Sequence, residues 1–216
     1  MTTNNILVII ILALSSNLDN IGVASSYGIR KISIPFSSNL LIAFITGTGT
    51  LASMLAGRSV YKFLDPQTAG TAGAAIIIAV GAWVLLKETV MRKPQAAPLN
   101  HDSRQSISHL PVHRKINAIL DNPFMADMDF SGHISLKEGM LLGIALTFNN
   151  LANGIGAGMM GLNVTLTTAL VVVFSILTIW IGLEFGNHYG VRWLGKLAGP
   201  AAGVLLILVG IFEMCF

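Results

Sequence analysis

Residues 5–29 read NILVIIILALSSNLDNIGVASSYGI, an apolar run long enough to cross a bilayer as one helix, with the polar motif Leu18-Asp19-Asn20-Ile21-Gly22-Val23-Ala24 near its middle. The motif returns 130 positions later as Phe148-Asn149-Asn150-Leu151-Ala152-Asn153-Gly154. Residues 70–81 and 199–210 also match each other, since both are apolar runs that begin and end with glycine. A polar motif at the same depth in the first helix of each half indicates an internal repeat.

The composition of the chain is that of a membrane protein. Hydrophobic residues make up 53% of it and charged residues only 11%, about half the roughly 25% typical of soluble proteins. These values exclude a water-soluble domain and a disordered chain. The single cysteine, Cys215, excludes a disulfide framework and a thiolate metal cage. A net charge of +3 leaves too few basic residues for a nucleic-acid surface, so the expected surroundings are the lipid bilayer.

Six stretches are long and apolar enough to span the membrane: residues 5–29, 39–63, 68–90, 139–160, 163–187 and 194–215. The predicted fold class is an all-α polytopic membrane protein with six transmembrane helices in two three-helix repeats. Because three is an odd number, the second repeat enters the membrane from the opposite side, an inverted arrangement typical of secondary transporters. Residues 1–90 form the first repeat, 91–137 a polar cytoplasmic loop, and 138–216 the second repeat.

The basic residues predict the orientation of the spans. Of the 13 Lys and Arg residues, eleven fall on one side of the membrane and two, Arg58 and Lys62, on the other. Positively charged loops stay in the cytoplasm. We therefore expect the loop 91–137 to be cytoplasmic and both termini to lie outside.

Polar side chains near the midplane of the first and fourth spans are the candidate ion-binding residues: Asp19, Asn20, Asn149, Asn150 and Asn153. An ionisable group deep in a span costs about 2.5–3.5 kcal/mol to insert, which makes Asp19 a functional candidate. Carboxylate and amide oxygens suit hard cations such as Mn²⁺, Mg²⁺ or Ca²⁺. The alternative is that these asparagines only hydrogen-bond neighbouring helices.

With these motifs the chain resembles the MntP-type manganese efflux pumps and, most closely, their sporulation branch, the YtaF-type proteins. The resemblance rests on residues 16–23, 146–158 and 197–211 and extends over essentially the whole chain. It implies a six-helix, two-repeat exporter of divalent cations in a bacterial inner membrane. The efflux pumps carry an aspartate in both motifs; here the first falls on Asp19 and the second is replaced by Asn149. The acidic position that the pumps have in the second span is replaced within residues 45–48.

Residues 127–138 fit the twelve-residue calcium-binding loop of EF-hands. The predicted ligands are Asp127, Asp129, Ser131, the backbone carbonyl of His133, Ser135 and Glu138. The glycine at position 6 of the loop is Gly132. A helix over about 114–125 precedes the loop, and the fourth span follows it. The alternative is a solvated turn that only caps the fourth span. His101, His109 and His113 have no spacing typical of a zinc site.

Two functions remain open from the sequence. The first is export of a divalent metal, Mn²⁺ above all, through Asp19 and the asparagines. The second is a non-transporting membrane protein of sporulation or development whose loop senses a cation. An enzyme is not expected, because the spans contain no Ser/His or paired-Asp arrangement. No cofactor is required. A Ca²⁺ or other divalent cation can bind in the loop 127–138, and a homo-oligomer is compatible with the sequence.

Overall fold

The computed structural model describes residues 3–89, 111–121, 123–129, 131–189 and 192–215. The helices in these ranges are α1 (Thr3–Ser15), α2 (Leu18–Ile29), α3 (Phe36–Tyr61), α4 (Pro66–Thr89), α5 (Val112–Asp121), α6 (Leu136–Met159), α7 (Val164–Tyr189) and α8 (Arg192–Cys215). A short 3-10 turn, Pro123–Ala126, follows α5. The predicted all-helical fold is thus confirmed over the described residues.

Most of the long helices can cross a membrane. Five stretches qualify alone: Ile6–Ile29, Phe36–Tyr61, Pro66–Lys87, Val164–His188 and Leu197–Cys215. The two parts of α6, Leu136–Phe148 and Asn150–Met159, meet at 49° and make a sixth span when taken together. Large side chains such as Phe44, Trp83 and Trp180 are 60–65% exposed on these helices, as lipid contact requires. The chain is a multi-pass membrane protein.

The helices of one half pack on those of the other half. α2 lies along α7, α3 along α6 and α4 along α8, whereas α3 and α4 of the same half touch little. Small residues let the backbones approach closely at these three seams. Examples, one at each seam, are Gly28 with Gly186, Gly158 with Met54, and Gly81 with Gly203.

Two apolar cores lie at different levels of the molecule. Along α3, Ile42 belongs to one core and Met54 to the other; along α6, Leu142 and Ala157 divide in the same way. The stretches of α3 and α6 between these residues carry buried polar side chains. A layer of buried polar side chains therefore lies between the two apolar cores.

Part of the predicted cytoplasmic loop is not described. Its residues 91–110 lie outside the described residues, and with them His101, His109 and the basic Arg92, Lys93 and Arg104. The loop is described from residue 111 onward, apart from residues 122 and 130. There the predicted helix over about 114–125 is found as α5 and the 3-10 turn.

Candidate functional site

The first span is broken at the start of its polar motif, where Ser16 and Asn17 separate α1 from α2. The Nδ2 of Asn17 donates to Ala13 O at 2.8 Å and to Val171 O on α7 at 3.4 Å. Its Oδ1 accepts from Asn20 Nδ2 at 3.1 Å. A bilayer offers no water to backbone groups that a break leaves unpaired. The side chain of Asn17 supplies the missing donor and ties the break to α7.

The break gives Asp19 a position in the first turn of a helix. The N-terminal end of a helix carries partial positive charge, which stabilises a carboxylate there. The backbone N–H of Asn20 also donates to Asp19 Oδ1 at 3.0 Å. Asp19 is partly exposed, whereas Asn20 is buried. The two predicted ion-binding residues of the first span therefore face different surroundings.

The fourth span bends at the equivalent place. Its two parts, on either side of Asn149, meet at 49°. Asn150 and Asn153 follow the bend and are both 4% exposed. The Nδ2 of Asn153 donates to Ser16 Oγ at 3.3 Å, so the bend in α6 meets the break between α1 and α2. The side chain of Asn149 lies outside what the structure describes.

A small cavity, about large enough for one water molecule, lies at this meeting point. Its lining residues are Leu12, Ser16, Thr50, Asn150, Asn153, Gly154, Ala157, Thr167 and Val171. The structure thus brings together Asn150 and Asn153 of the predicted set, while Asp19 and Asn20 do not line the cavity. The Oδ1 of Asn153 is buried and has no hydrogen-bond partner among the described residues. An oxygen of this kind can accept from a water molecule or bind a cation.

Sequence reasoning missed several polar residues of this region: Asn17, Asn39, Thr50, Thr167 and Ser175. All five are buried. Asn17 directly precedes the motif that begins at Leu18, and its polar neighbours Ser16 and Asn20 were a signal that could have included it. The hydroxyl residues carried no such signal, because Ser and Thr are common in membrane helices.

Three carboxylates of the predicted calcium-type loop lie close together. Asp127, Asp129 and Glu138 can place one oxygen each within 4.8 Å of the others. Gly132 has φ = 74°, a conformation that favours glycine. Asp129 has its pKa lowered by hydrogen bonds from Ser131, through the side chain first and the backbone N–H second. The acidic side chains of the loop converge on one point.

In the structure the carboxylate of Glu138 caps α6. Its Oε2 accepts from Ser135 N at 2.9 Å and from Ser135 Oγ at 2.8 Å, and its Oε1 accepts from Met128 N at 2.6 Å. This reciprocal capping box stabilises the start of the helix. A cation bound by both oxygens of Glu138 would have to replace these bonds.

The loop is also joined to the connection between α2 and α3. Ser33 N donates to Gly132 O and Ile134 N donates to Ser33 O, both at 2.9 Å, which forms an isolated parallel bridge between Ser33 and His133. Ser38 Oγ donates to Ile134 O at 2.8 Å. The loop that starts α6 in the second half is therefore bonded to the start of α3 in the first half.

The chain is similar in sequence to known membrane proteins. A family model described as "Putative manganese efflux pump" matches residues 121–214. The chain is 33% identical over 207 residues to "Probable sporulation protein YtaF" of Bacillus subtilis (strain 168), over 95% of this chain and 98% of that protein. It is 27% identical over 101 residues to "Putative manganese efflux pump MntP" of Stenotrophomonas maltophilia (strain K279a), over 47% of this chain and 52% of that protein. No solved structure matches the chain.

Proposed function

Because this chain belongs to the family of the YtaF-type proteins and the MntP-type manganese efflux pumps, as its motifs predicted, we propose that it is a secondary transporter that exports a divalent cation, Mn²⁺ above all, across a bacterial inner membrane. One observation carries the proposal. The broken first span and the bent fourth span meet at a cavity lined by buried asparagines. Discontinuous helices that meet near the middle of the membrane are where secondary transporters bind their substrates.

The contacts between the halves support an inverted repeat. Gly28 of α2 packs on Gly186 of α7, and Gly158 of α6 packs on Met54 and Arg58 of α3. A shift of 130 positions relates Gly28 to Gly158. The first helix of each half therefore packs on the second helix of the other half through a corresponding glycine. In the third helices, Gly81 and Gly203 pack against each other.

The residues available to the cation are oxygen donors. Asn150 and Asn153, which border the cavity, carry neutral amide oxygens, and Asp19 on α2 carries the negative charge. Hard divalent cations prefer such ligands. We propose that Asp19, Asn20, Asn149, Asn150 and Asn153 together bind the ion or an exchanged proton during the transport cycle.

The direct test is the metal content of intact cells. Cells that express the protein in manganese-rich medium should hold less Mn²⁺ than cells that carry the empty vector. Asp19→Asn keeps the size and hydrogen bonding of the side chain but removes its charge, so it should abolish the difference. Asp65→Asn, a change of the same kind in the connection between α3 and α4, serves as the control. Export by Asp19→Asn at the wild-type rate would remove Asp19 from the mechanism.

The loop 127–138 supports a second function, cation sensing. YtaF is named as a sporulation protein, and this chain could serve development without transport. The specific observation is that the converging carboxylates sit on a loop bonded to both halves, through Glu138 to α6 and through Ser33 to the α2–α3 connection. We propose that Asp127, Asp129, Ser131, His133 O, Ser135 and Glu138 bind Ca²⁺ or another hard divalent cation.

Calcium titration of the purified full-length protein tests the loop. The wild type should bind one ion more than the double variant Asp127→Ala, Glu138→Gln. Glu138→Gln retains an acceptor oxygen for the capping box, so α6 keeps its first turn. Ser135→Ala, which weakens the cap but leaves all carboxylates, should bind the ion with only a modest loss. Identical isotherms for the wild type and the double variant would leave the loop as a helix cap.

A further inference from the structure

We propose a second cation site on the transport path, at the junction of α2, α3 and α7, with Asn20, Asn39 and Ser175 as its oxygen donors. The proposal rests on the transport function above and extends it. Neither Asn39 nor Ser175 belongs to the motifs that suggested that function. The site shares Asn20 with the proposed ion-binding set, but it lies apart from the cavity, since none of its three residues lines the cavity.

Three buried oxygens at this junction have no hydrogen-bond partner among the described residues. They are Asn20 Oδ1, Asn39 Oδ1 and Ser175 Oγ. The residues are 1%, 5% and 0% exposed, respectively. An unsatisfied polar group in a low-dielectric interior is costly, and such groups in native proteins commonly mark a place for water or an ion.

Hydrogen bonds bring these side chains to the same part of α7. Asn39 Nδ2 donates to Ile176 O at 3.2 Å. Asn20 Nδ2 donates to Asn17 Oδ1, and Asn17 in turn donates to Val171 O. The amide nitrogens are therefore held in place. Each amide oxygen is left available for another ligand.

Ser175 lies between these two attachment points on α7. A serine in a membrane helix usually donates to the carbonyl four residues earlier, as Ser15 does to Ile11 O at 2.6 Å. For Ser175 that carbonyl is Val171 O, which accepts from Asn17 Nδ2 at 3.4 Å. Ser175 Oγ makes no hydrogen bond to this or any other described group.

The position of the junction suits an intermediate binding site between the cavity and one face of the membrane. Asn39 is in the first turn of α3, while Thr50, which lines the cavity, is three turns further along. At 1.5 Å per residue the two are on the order of 16 Å apart along the helix axis. With the orientation predicted from the basic residues, the junction lies on the cytoplasmic side of the cavity.

The chemistry of the junction favours brief binding. All three donors are neutral oxygens, which bind a hard cation but lack the charge to hold it strongly. Conduction requires sites that are weak enough for the ion to leave. A partly hydrated divalent cation that moves between the cytoplasm and the cavity fits this description.

Cysteine labelling tests the site without relying on transport. Asn39→Cys and Ser175→Cys are introduced separately into a Cys215→Ala background and treated, in inside-out membrane vesicles, with a cationic thiol reagent and an anionic one of similar size. The control is Ile77→Cys, since Ile77 is 0% exposed but lies in an apolar core. Both test thiols should react faster with the cationic reagent, and saturating Mn²⁺ should slow the reaction about tenfold.

Two labelling results would overturn the proposal: rates no higher than that of the Ile77→Cys control, or rates that Mn²⁺ does not change. The second result would mean that water alone occupies the junction. Ser175→Ala removes one oxygen without adding bulk, and it should slow Mn²⁺ efflux about threefold to tenfold at unchanged protein level. Unchanged efflux would also contradict the site. If the wild type exports no Mn²⁺, the transport function fails, while the labelling still decides whether this junction binds the ion.

Discussion

At the scale of single residues, asparagine side chains form hydrogen bonds between helices that lie far apart in the chain. Asn17 and Asn39 donate to carbonyl oxygens of α7, and Asn153 donates to Ser16 at the break. A hydrogen bond between membrane helices is worth only about 0.6 kcal/mol on average. At the break, the Nδ2 of Asn17 also donates to Ala13 O, because the backbone N–H of Asn17 donates to Leu14 O instead. Each amide also keeps an oxygen that can serve a cation.

Glycine sets how closely the helices approach, and one position predicts a measurable effect. A Cβ on Gly28 would lie 2.5 Å from Leu183 O and 2.9 Å from Asn187 N. Gly28→Ala should therefore destabilise the protein by about 1–3 kcal/mol, because backbone cannot yield as a side chain can. The readout is the thermal unfolding of the purified protein in detergent.

Gly70 provides the matched control for this substitution. It also lies in a helix, but a Cβ there would meet nothing within 4 Å. Gly70→Ala should be neutral or stabilise by up to about 1 kcal/mol, because alanine favours the helix. Equal melting temperatures for the two variants would show that the α2–α7 seam is looser than described here.

At the scale of elements, α6 links the calcium-type loop to the cavity. Its capping residue Glu138 and the cavity residue Asn153 are fifteen positions apart on one bent helix, about 22 Å at 1.5 Å per residue. The bridge from Ser33 to the loop adds the α2–α3 connection to the same unit. A cation in the loop can act on the cavity only if it binds one arrangement of these elements better than another.

Two substitutions at Ser33 separate the bridge from the side chain. Ser33→Pro removes the N–H that donates to Gly132 O, whereas Ser33→Ala keeps both backbone bonds of the bridge. Loss of one hydrogen bond should weaken calcium binding by the loop about fivefold in Ser33→Pro, with Ser33→Ala close to the wild type. Calcium titration of the three full-length proteins gives the comparison. Equal affinity in the proline and alanine variants would mean that the bridge does not support the loop.

At the scale of the whole molecule, the two halves stabilise each other. α2, α3 and α4 each have their most extensive packing against a helix of the other half, α7, α6 and α8, respectively. In the described residues, α3 and α4 of the first half touch little, and most of the helix packing is between the halves. The polar cluster at Ser16 and Asn153 lies where the halves meet, so a relative movement of the halves changes its access to water. This is the arrangement that alternating access requires.

The orientation of the molecule has its own test. The uneven distribution of Lys and Arg predicts that a topology reporter fused after Phe216 lies outside, while one inserted near Ser106 lies in the cytoplasm. Matched fusions at both sites, with an enzyme active only outside and a fluorophore active only inside, should give opposite signals. Signals from the same side would rule out an odd number of spans between the two points and with it the inverted repeat.

The sequence by itself determined the membrane class, the position of the long helices and the residues of the doubled motif. These depend on local composition, since about 20 apolar residues suffice for a span and a polar residue within it stands out. The calcium-type pattern is also local, because its proposed ligands lie within twelve successive residues. Only the tertiary structure decided that Asn153 meets Ser16, that Thr50 and Thr167 line the cavity, and that Ser33 bonds to the loop. Those contacts join segments far apart in the chain, and an amide or hydroxyl in one helix carries no record of which helix will pack against it.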